Sequence, residues 1–323
     1  MRRTPRTRRP ALRCIAISEF GGADRLRPMD LPRPRAGENE ILIRVVAAGV
    51  DRFDIDMREG RLHEHIAHAF PLIPGWDAAG VVEELGESAS RFRKGDRVWA
   101  YALKPTVQWG CYAEFVAVVE DHVALMPTGL LYEEAAAVPR AGLTALQCLA
   151  TSAGFGSAID VLVHEAHGGV GHFAVQLARN GGARVLGCTD SDHQAFVLAQ
   201  GAVATVDVGR EDFVEATRRH FPNGVDLVVD TVGGESLTRS RDLLKPDGRI
   251  ASIAAPEPAA PGVASVVNLF GEPSGEQLHT LARLVDGGKL RPHVDRIYSL
   301  PAAAAAHKHV EARRGPGKVV LNL

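Results

Sequence analysis

Cysteine is scarce and scattered in this chain of 323 residues: Cys14, Cys111, Cys148 and Cys188 include no Cys-x-x-Cys pair. That spacing excludes a zinc ribbon, and the four read as reduced, mostly buried thiols. Long apolar runs are lacking too. No stretch approaches the ~20 residues of a membrane span, and the N-terminus has no apolar core of a secretory signal, so no membrane association and a cytoplasmic location are expected. Acid is missing from the first ten residues, where Arg2, Arg3, Arg6, Arg8 and Arg9 lie. With those five set aside, 32 basic residues face 39 acidic ones, and so acidic a body argues against a nucleic-acid groove. The arm 1–10 is expected to be a disordered extension.

What is present is a mixture typical of a folded enzyme, with 46% hydrophobic and 24% charged residues over a length that predicts two domains. From Asp160 to Arg179 the chain spells a short apolar strand, a glycine-rich turn and an amphipathic helix. Gly168 and Gly169 lack the Cβ that would block a pyrophosphate, Val170 continues the turn, and Gly171 lets the helix start close against the sheet. The helix N-terminus then favours the diphosphate without a lysine. Further extended segments are expected at 184–189, 204–208, 225–232, 249–254 and 263–270, each a helix length apart. Six strands in that rhythm predict a Rossmann sheet.

Residues 11–130 instead show period-two strands at 40–46, 80–84, 96–100 and 112–119 with turns between them, which predicts a β-rich first domain. Residues 133–150 form the first sustained helical stretch and open the second domain, expected over 131–288. A helix is expected at 274–287, extended structure at 291–298 and a strand at 318–323. That last strand has no partner nearby in sequence, so residues 289–323 are expected to return to the first domain.

Six words occur in order along this frame: Ala47-Ala48-Gly49-Val50-Asp51, Pro74 to Gly80 through Trp76, Lys94 to Val98, Tyr112-Ala113-Glu114, Ala141 to Ala145, and Asp230 to Gly234. With them the chain, from about residue 12 onward, resembles the zinc-independent quinone oxidoreductases of the medium-chain dehydrogenase/reductase superfamily. The resemblance implies an α/β architecture with a GroES-like catalytic domain, a Rossmann domain, a cleft site between them, and a homodimer joined through the 263–270 edge strand. Zinc-dependent relatives carry a ligand cysteine and histidine where this chain has Asp51 and Trp76, and the four-cysteine structural-zinc loop is missing. No metal is therefore expected. Without a metal to hold alkoxide charge, alcohol oxidation is disfavoured. Conjugate reduction of a quinone or an α,β-unsaturated ketone spreads the arriving charge onto a distant oxygen.

By the same resemblance Asp51 and Thr144 are the candidate catalytic residues, with Val232, Gly233 and Phe270 beside the nicotinamide and Trp76 and Tyr101 lining the substrate pocket. Thr144 reads equally as an ordinary helix hydroxyl. Asp51 stands where the pattern has asparagine. It is either protonated, an acceptor for a ribose hydroxyl, or without that role, and the second is favoured. The tyrosine of enoyl reductases is absent after Arg58-Glu59-Gly60, which argues against an enoyl thioester.

Coenzyme choice turns on Asp190 and His193 at the end of the second strand, where a carboxylate suits NAD(H) and basic groups suit NADP(H). A 2′-phosphate ~5 Å from Asp190 or Asp192 would be repelled by roughly 3 kcal/mol at an effective dielectric of ~20. Helix capping is the competing role for both acids. The resemblance places NADP(H) slightly ahead, while the local residues alone suggest NAD(H), and Arg313 or Arg314 are candidates for restoring phosphate contact. Glu165 stands where the family has glycine or alanine, so it either obstructs the pyrophosphate or turns away. The words His164-Glu165-Ala166-His167 and His63, His65, His68 are not expected to bind metal. A redox-silent nucleotide sensor or scaffold of the same fold is the alternative function, and RNA binding by the arginine arm a remoter one.

Overall fold

The computed structural model describes residues 11–152, 156–254, 266–312 and 315–323. The arginine arm 1–10, the 263–265 part of the expected sixth strand, and Arg313 with Arg314 lie outside these residues.

Six parallel strands form one sheet, in the spatial order Ala204–Asp207, Arg184–Thr189, Asp160–Val163, Val225–Asp230, Leu244–Ser252, Val266–Asn268. Numbered by sequence this is 3-2-1-4-5-6, the dinucleotide-binding order. Its strands read as apolar runs because both faces are covered. Val161, Val163, Leu227 and Val229 join the main core, while Leu162, Leu186, Val228 and Ile250 join a second cluster on the other face. Alternate side chains of one strand thus feed two hydrophobic layers.

A second sheet of seven strands is built around Glu40–Val50, with Asp77–Leu85 and Phe115–Val119 antiparallel to it. The sheet continues through Arg97–Tyr101 to Val123–Leu125 on one side. On the other side Lys318–Asn322 lies antiparallel to Glu40–Val50, and Val294–Ser299 runs parallel to Lys318–Asn322. Val319 faces Val50 in this register, so Lys318 comes beside Asp51 across more than 260 residues of sequence.

Several expected elements change shape. The single helix at 133–150 is two, Tyr132–Ala136 and Pro139–Ala150, because Pro139 has no N–H to continue the first and takes the first position of the second. The strand expected at 112–119 begins only at Phe115, since the amides of Cys111 and Tyr112 are turned to the carbonyls of Gly75 and Pro74. The described part of the 263–270 segment is extended at Val266–Asn268 only, leaving Phe270 beyond the strand. Among the described residues no helix is long and apolar enough to cross a membrane.

Candidate active site

The glycine-rich turn leaves Asp160–Val163 beside Val225–Asp230, where the strand order reverses and α/β sheets open a crevice. Helix Gly171–Asn180 follows with no side chain capping its start. A Cβ on Gly171 would lie 2.2 Å from the Glu165 carbonyl oxygen and 2.8 Å from the Ala166 Cα, so only hydrogen fits. Glu165 itself has φ 47°, the left-handed conformation that glycine adopts without steric cost. Its Cγ and Cδ pass 3.4 Å and 3.7 Å from where a Gly168 Cβ would stand, an ordinary contact alongside the turn.

At the end of the next strand Asp190 does cap the turn Ser191–His193, accepting from the amides of Asp192 and His193 at 3.1 Å each. The same oxygen lies 2.6 Å from His193 Nδ1. The His193 ring stacks on His167 of the glycine turn, 4.5 Å between centroids and 6° from parallel. His193 and its hydrogen bonds hold the Asp190 carboxyl below its ordinary range, against the opposing effect of burial.

Opposite this turn lies a buried charge cluster. Asp51 caps helix Arg52–Arg58, its Oδ1 accepting from the Phe53 amide while Asp54 returns a bond to the Asp51 amide. Asp51 Oδ2 accepts from Arg140 Nη1 at 3.0 Å and from Lys318 Nζ at 3.1 Å. Lys318 Nζ also reaches Asp77 Oδ2 at 3.1 Å, and Asp77 Oδ1 accepts the Arg140 amide at 2.6 Å. Burial opposes ionisation of Asp51, but the two cations outweigh it and hold the carboxyl well below its usual range. Burial likewise opposes the Lys318 ammonium, and Asp51, Asp77 and Asp54 outweigh it and raise its pKa. Asp51 is therefore an ionised acceptor. Of the three readings, the protonated one does not fit this geometry.

A directed hydrogen-bond chain supports Asp54. Arg58 can only donate, so His307 Nδ1 accepts at 3.1 Å and its proton sits on Nε2, facing Tyr112 Oη at 3.0 Å. The Tyr112 hydroxyl then donates to Asp54 Oδ2 at 3.2 Å. A neutral His307 agrees with its pKa, pushed down to about 3 by burial and by the Arg58 charge.

Trp76 Nε1, Tyr101 Oη and Arg140 Nε are buried with no hydrogen-bond partner of good geometry among the described residues, and the Tyr101 hydroxyl and the Arg140 guanidinium influence each other. Trp76 and Tyr101 are 2% and 0% exposed, so they are packed into the wall and line no open pocket as the sequence suggested. Tyr101 pairs with Asp77 across the sheet, and burial pushes its hydroxyl pKa up. Phe53 is the hub. Its ring meets Trp76 at 5.5 Å and Phe270 at 5.4 Å, with the Arg140 guanidinium 4.8 Å above it.

Thr144 is buried and donates to the Arg140 carbonyl four residues earlier at 2.7 Å. The amides of Val232 and Gly233 donate to Asp230 Oδ1 at 3.1 and 3.0 Å, which shapes the turn after the fourth strand. Lys318 joins the two halves of the site: its stem lies 3.0 Å from where a Gly169 Cβ would be, and the Gly317 amide donates to the His167 carbonyl. Sequence reasoning missed Arg140, Lys318 and the roles of Asp54 and Asp77. Among the described residues one group of three metal-capable side chains converges, His167, Asp190 and His193, and the His63, His65, His68 triplet is not such a group.

Residues 37–128 match the alcohol dehydrogenase GroES-like domain, and residues 200–321 match the zinc-binding dehydrogenase family. A quinone oxidoreductase from Sus scrofa is 30% identical over 96% of this chain and 97% of its own length. The solved quinone oxidoreductase from Coxiella burnetii superposes with a TM-score of 0.85 at 31% identity, covering 97% of this chain and 100% of that one. A solved NAD-dependent alcohol dehydrogenase gives 0.87 at 31% identity, over 96% and 99% of the two chains.

Proposed function

The chain belongs to the quinone oxidoreductase family of the medium-chain dehydrogenase/reductase superfamily and is an NAD(P)H-dependent oxidoreductase; from that premise we propose that it reduces quinones or α,β-unsaturated ketones without a catalytic zinc. The observation that carries this reading is the bare glycine turn at the switch point of the 3-2-1-4-5-6 sheet, next to an Asp51 that is committed to Arg140 and Lys318.

The residues fit a dinucleotide. Gly168, Gly169, Val170 and Gly171 hold the diphosphate, Asp190 and His193 the adenosine ribose, and Val232, Gly233 and Phe270 the nicotinamide end. Asp51 accepts from a ribose hydroxyl, which an ionised carboxylate with two cationic anchors does well. When bound, the nicotinamide supplies the hydride. Water returns the proton to the oxygen on which negative charge accumulates. The same residues do not fit a catalytic zinc: Asp51 is committed to Arg140 and Lys318, and Trp76 has no ligand atom. No step is routed through a metal.

NADP(H) stays slightly ahead of NAD(H), because the Asp190 charge is tied up by His193 and two amides. Strand Val266–Asn268, at the sheet edge, is the surface for a homodimer, and the cytoplasm is the place of action. Glu165 along Gly168 favours the alternative of a redox-silent nucleotide sensor or scaffold. Mixing the protein with NADPH or NADH and 1,4-benzoquinone or a small enone should bleach the reduced nicotinamide. Tight coenzyme binding with no turnover on a broad acceptor panel would decide for the sensor.

A further inference from the structure

We propose that His167, Asp190 and His193 form a binding site for a divalent transition-metal ion, and that its occupancy reverses the charge presented to the ribose end of the coenzyme. One ligand atom from each side chain lies within 4.8 Å of the others, and no other such trio converges among the described residues. The three come from two elements. His167 belongs to the glycine turn, Asp190 and His193 to the cap after Arg184–Thr189, and the parallel pairing of Val163 with Gly187 sets the two side by side.

The donor set is two imidazoles and a carboxylate, a combination that zinc accepts while keeping a fourth position for water or ligand. Bonds of about 2.0–2.2 Å place tetrahedral ligand atoms about 3.3 Å apart. The ligand atoms all lie within 4.8 Å of one another, with His193 Nδ1 2.6 Å from Asp190 Oδ1, and the stacked His193 ring must turn out of its plane parallel to His167 for both imidazoles to point at one ion. Thr189 Oγ1, 2.8 Å from His167 Nδ1, holds that ring in place, as outer partners of metal-bound histidines do. His167 is buried while the Asp190 side chain is half exposed, which leaves an ion a way in from solvent.

With the trio empty, Asp190 contributes a carboxylate shared with His193 and two amides. A bound dication changes that to a net positive charge with an open coordination position, which favours the 2′-phosphate of NADP(H) over the bare ribose of NAD(H). This second step rests on the turn being the coenzyme site. The ion binding does not.

The test uses full-length protein stripped with a chelator and titrated with zinc chloride in a calorimeter. One equivalent should bind, at least about tenfold more weakly in His193→Ala and in Asp190→Asn. No stoichiometric binding, or binding indifferent to both substitutions, overturns the site. Dissociation constants for NADPH and NADH are then measured with and without zinc, and the ratio should shift about tenfold or more toward NADPH in the wild type only. Zinc binding with an unchanged ratio overturns the charge reversal. Zinc binding with neither dinucleotide bound overturns the coenzyme reading and leaves the ion site standing.

Discussion

The two halves of the site meet at Lys318 yet work by opposite means. Around 168–171 the chain makes room by omitting side chains, and its one acidic intruder, Glu165, sits in a backbone conformation that suits glycine. Next to it Asp51, Asp77, Arg140 and Lys318 fill the space with ionisable groups taken out of water and paired. A region shaped by absence is sensitive to added volume, and a region held by paired charge is sensitive to losing one partner.

The largest expected effect follows on the charged side. Lys318→Met leaves Asp51 and Asp77 short of a buried cation and should cost about 3–5 kcal/mol in urea unfolding. A loss below about 1 kcal/mol would mean that the cluster is hydrated and the contrast is wrong. On the bare side, Gly171→Val drives a methyl-bearing carbon into the Glu165 carbonyl and should weaken coenzyme binding by about 100-fold, read by fluorescence titration of NADPH and NADH. Unchanged affinity would remove the turn from the coenzyme site.

Acid should separate the halves further. Asp51 has a lowered pKa and Lys318 a raised one, so the first contributes at every pH above the ordinary carboxylate value and the second at every pH below the ordinary lysine value. Between those values Asp51 and Lys318 are themselves indifferent to pH, whereas burial raises the pKa of Asp54 and of Asp77, so that those two favour lower pH. Beside the turn, burial pushes His164 and His172 down to about 4. The unfolded chain takes up those protons first, near pH 6.5, so stability falls as the pH drops from there toward 4, by about 1.4 kcal/mol per pH unit for each histidine. His307 adds the same dependence from the side of the charge cluster, continuing to about 3. His172→Gln should flatten the profile by one such increment between pH 6 and 5; an unaltered slope would assign the acid sensitivity elsewhere.

A smaller effect is expected at Glu165. Glu165→Gly relieves the left-handed backbone and clears the carboxylate from Gly168, and should tighten NADPH binding by about tenfold, or about 1.4 kcal/mol. Weaker binding in that variant would give the carboxylate a positive role, as a sensor built on this fold would require.

The turn was legible because its physics is local: the strand, the glycines and the helix occupy twenty consecutive residues, and periodicity alone gives the fold class around them. The charge cluster was not. Its hydrogen bonds span 89 residues from Arg140 to Asp51, and 241 and 267 from Lys318 to Asp77 and Asp51, so no window of sequence contains them. Lys318 opens a strand that reads as apolar, and only the register against Glu40–Val50 reveals its partner. Trp76 and Tyr101 were placed near the site but not in the right state, since burial depends on packing that composition does not report. Pro139 was a visible helix start that the apolar run around it concealed.

Thr144 offers the finest division between the halves, because it sits on the helix that carries Arg140 and was a candidate for chemistry. Its hydroxyl donates within its own helix to the Arg140 carbonyl, and a Gly271 Cβ would sit 2.2 Å from it, so no space for substrate is evident on that side. A helix hydroxyl so engaged contributes one neutral hydrogen bond. Thr144→Ala should therefore lose about 0.5–1.5 kcal/mol of stability, with kcat/KM for a quinone changed less than about threefold. A fall of about 30-fold with coenzyme affinity intact would instead mean that the hydroxyl leaves the carbonyl during turnover, which the snug fit of Gly271 against it opposes.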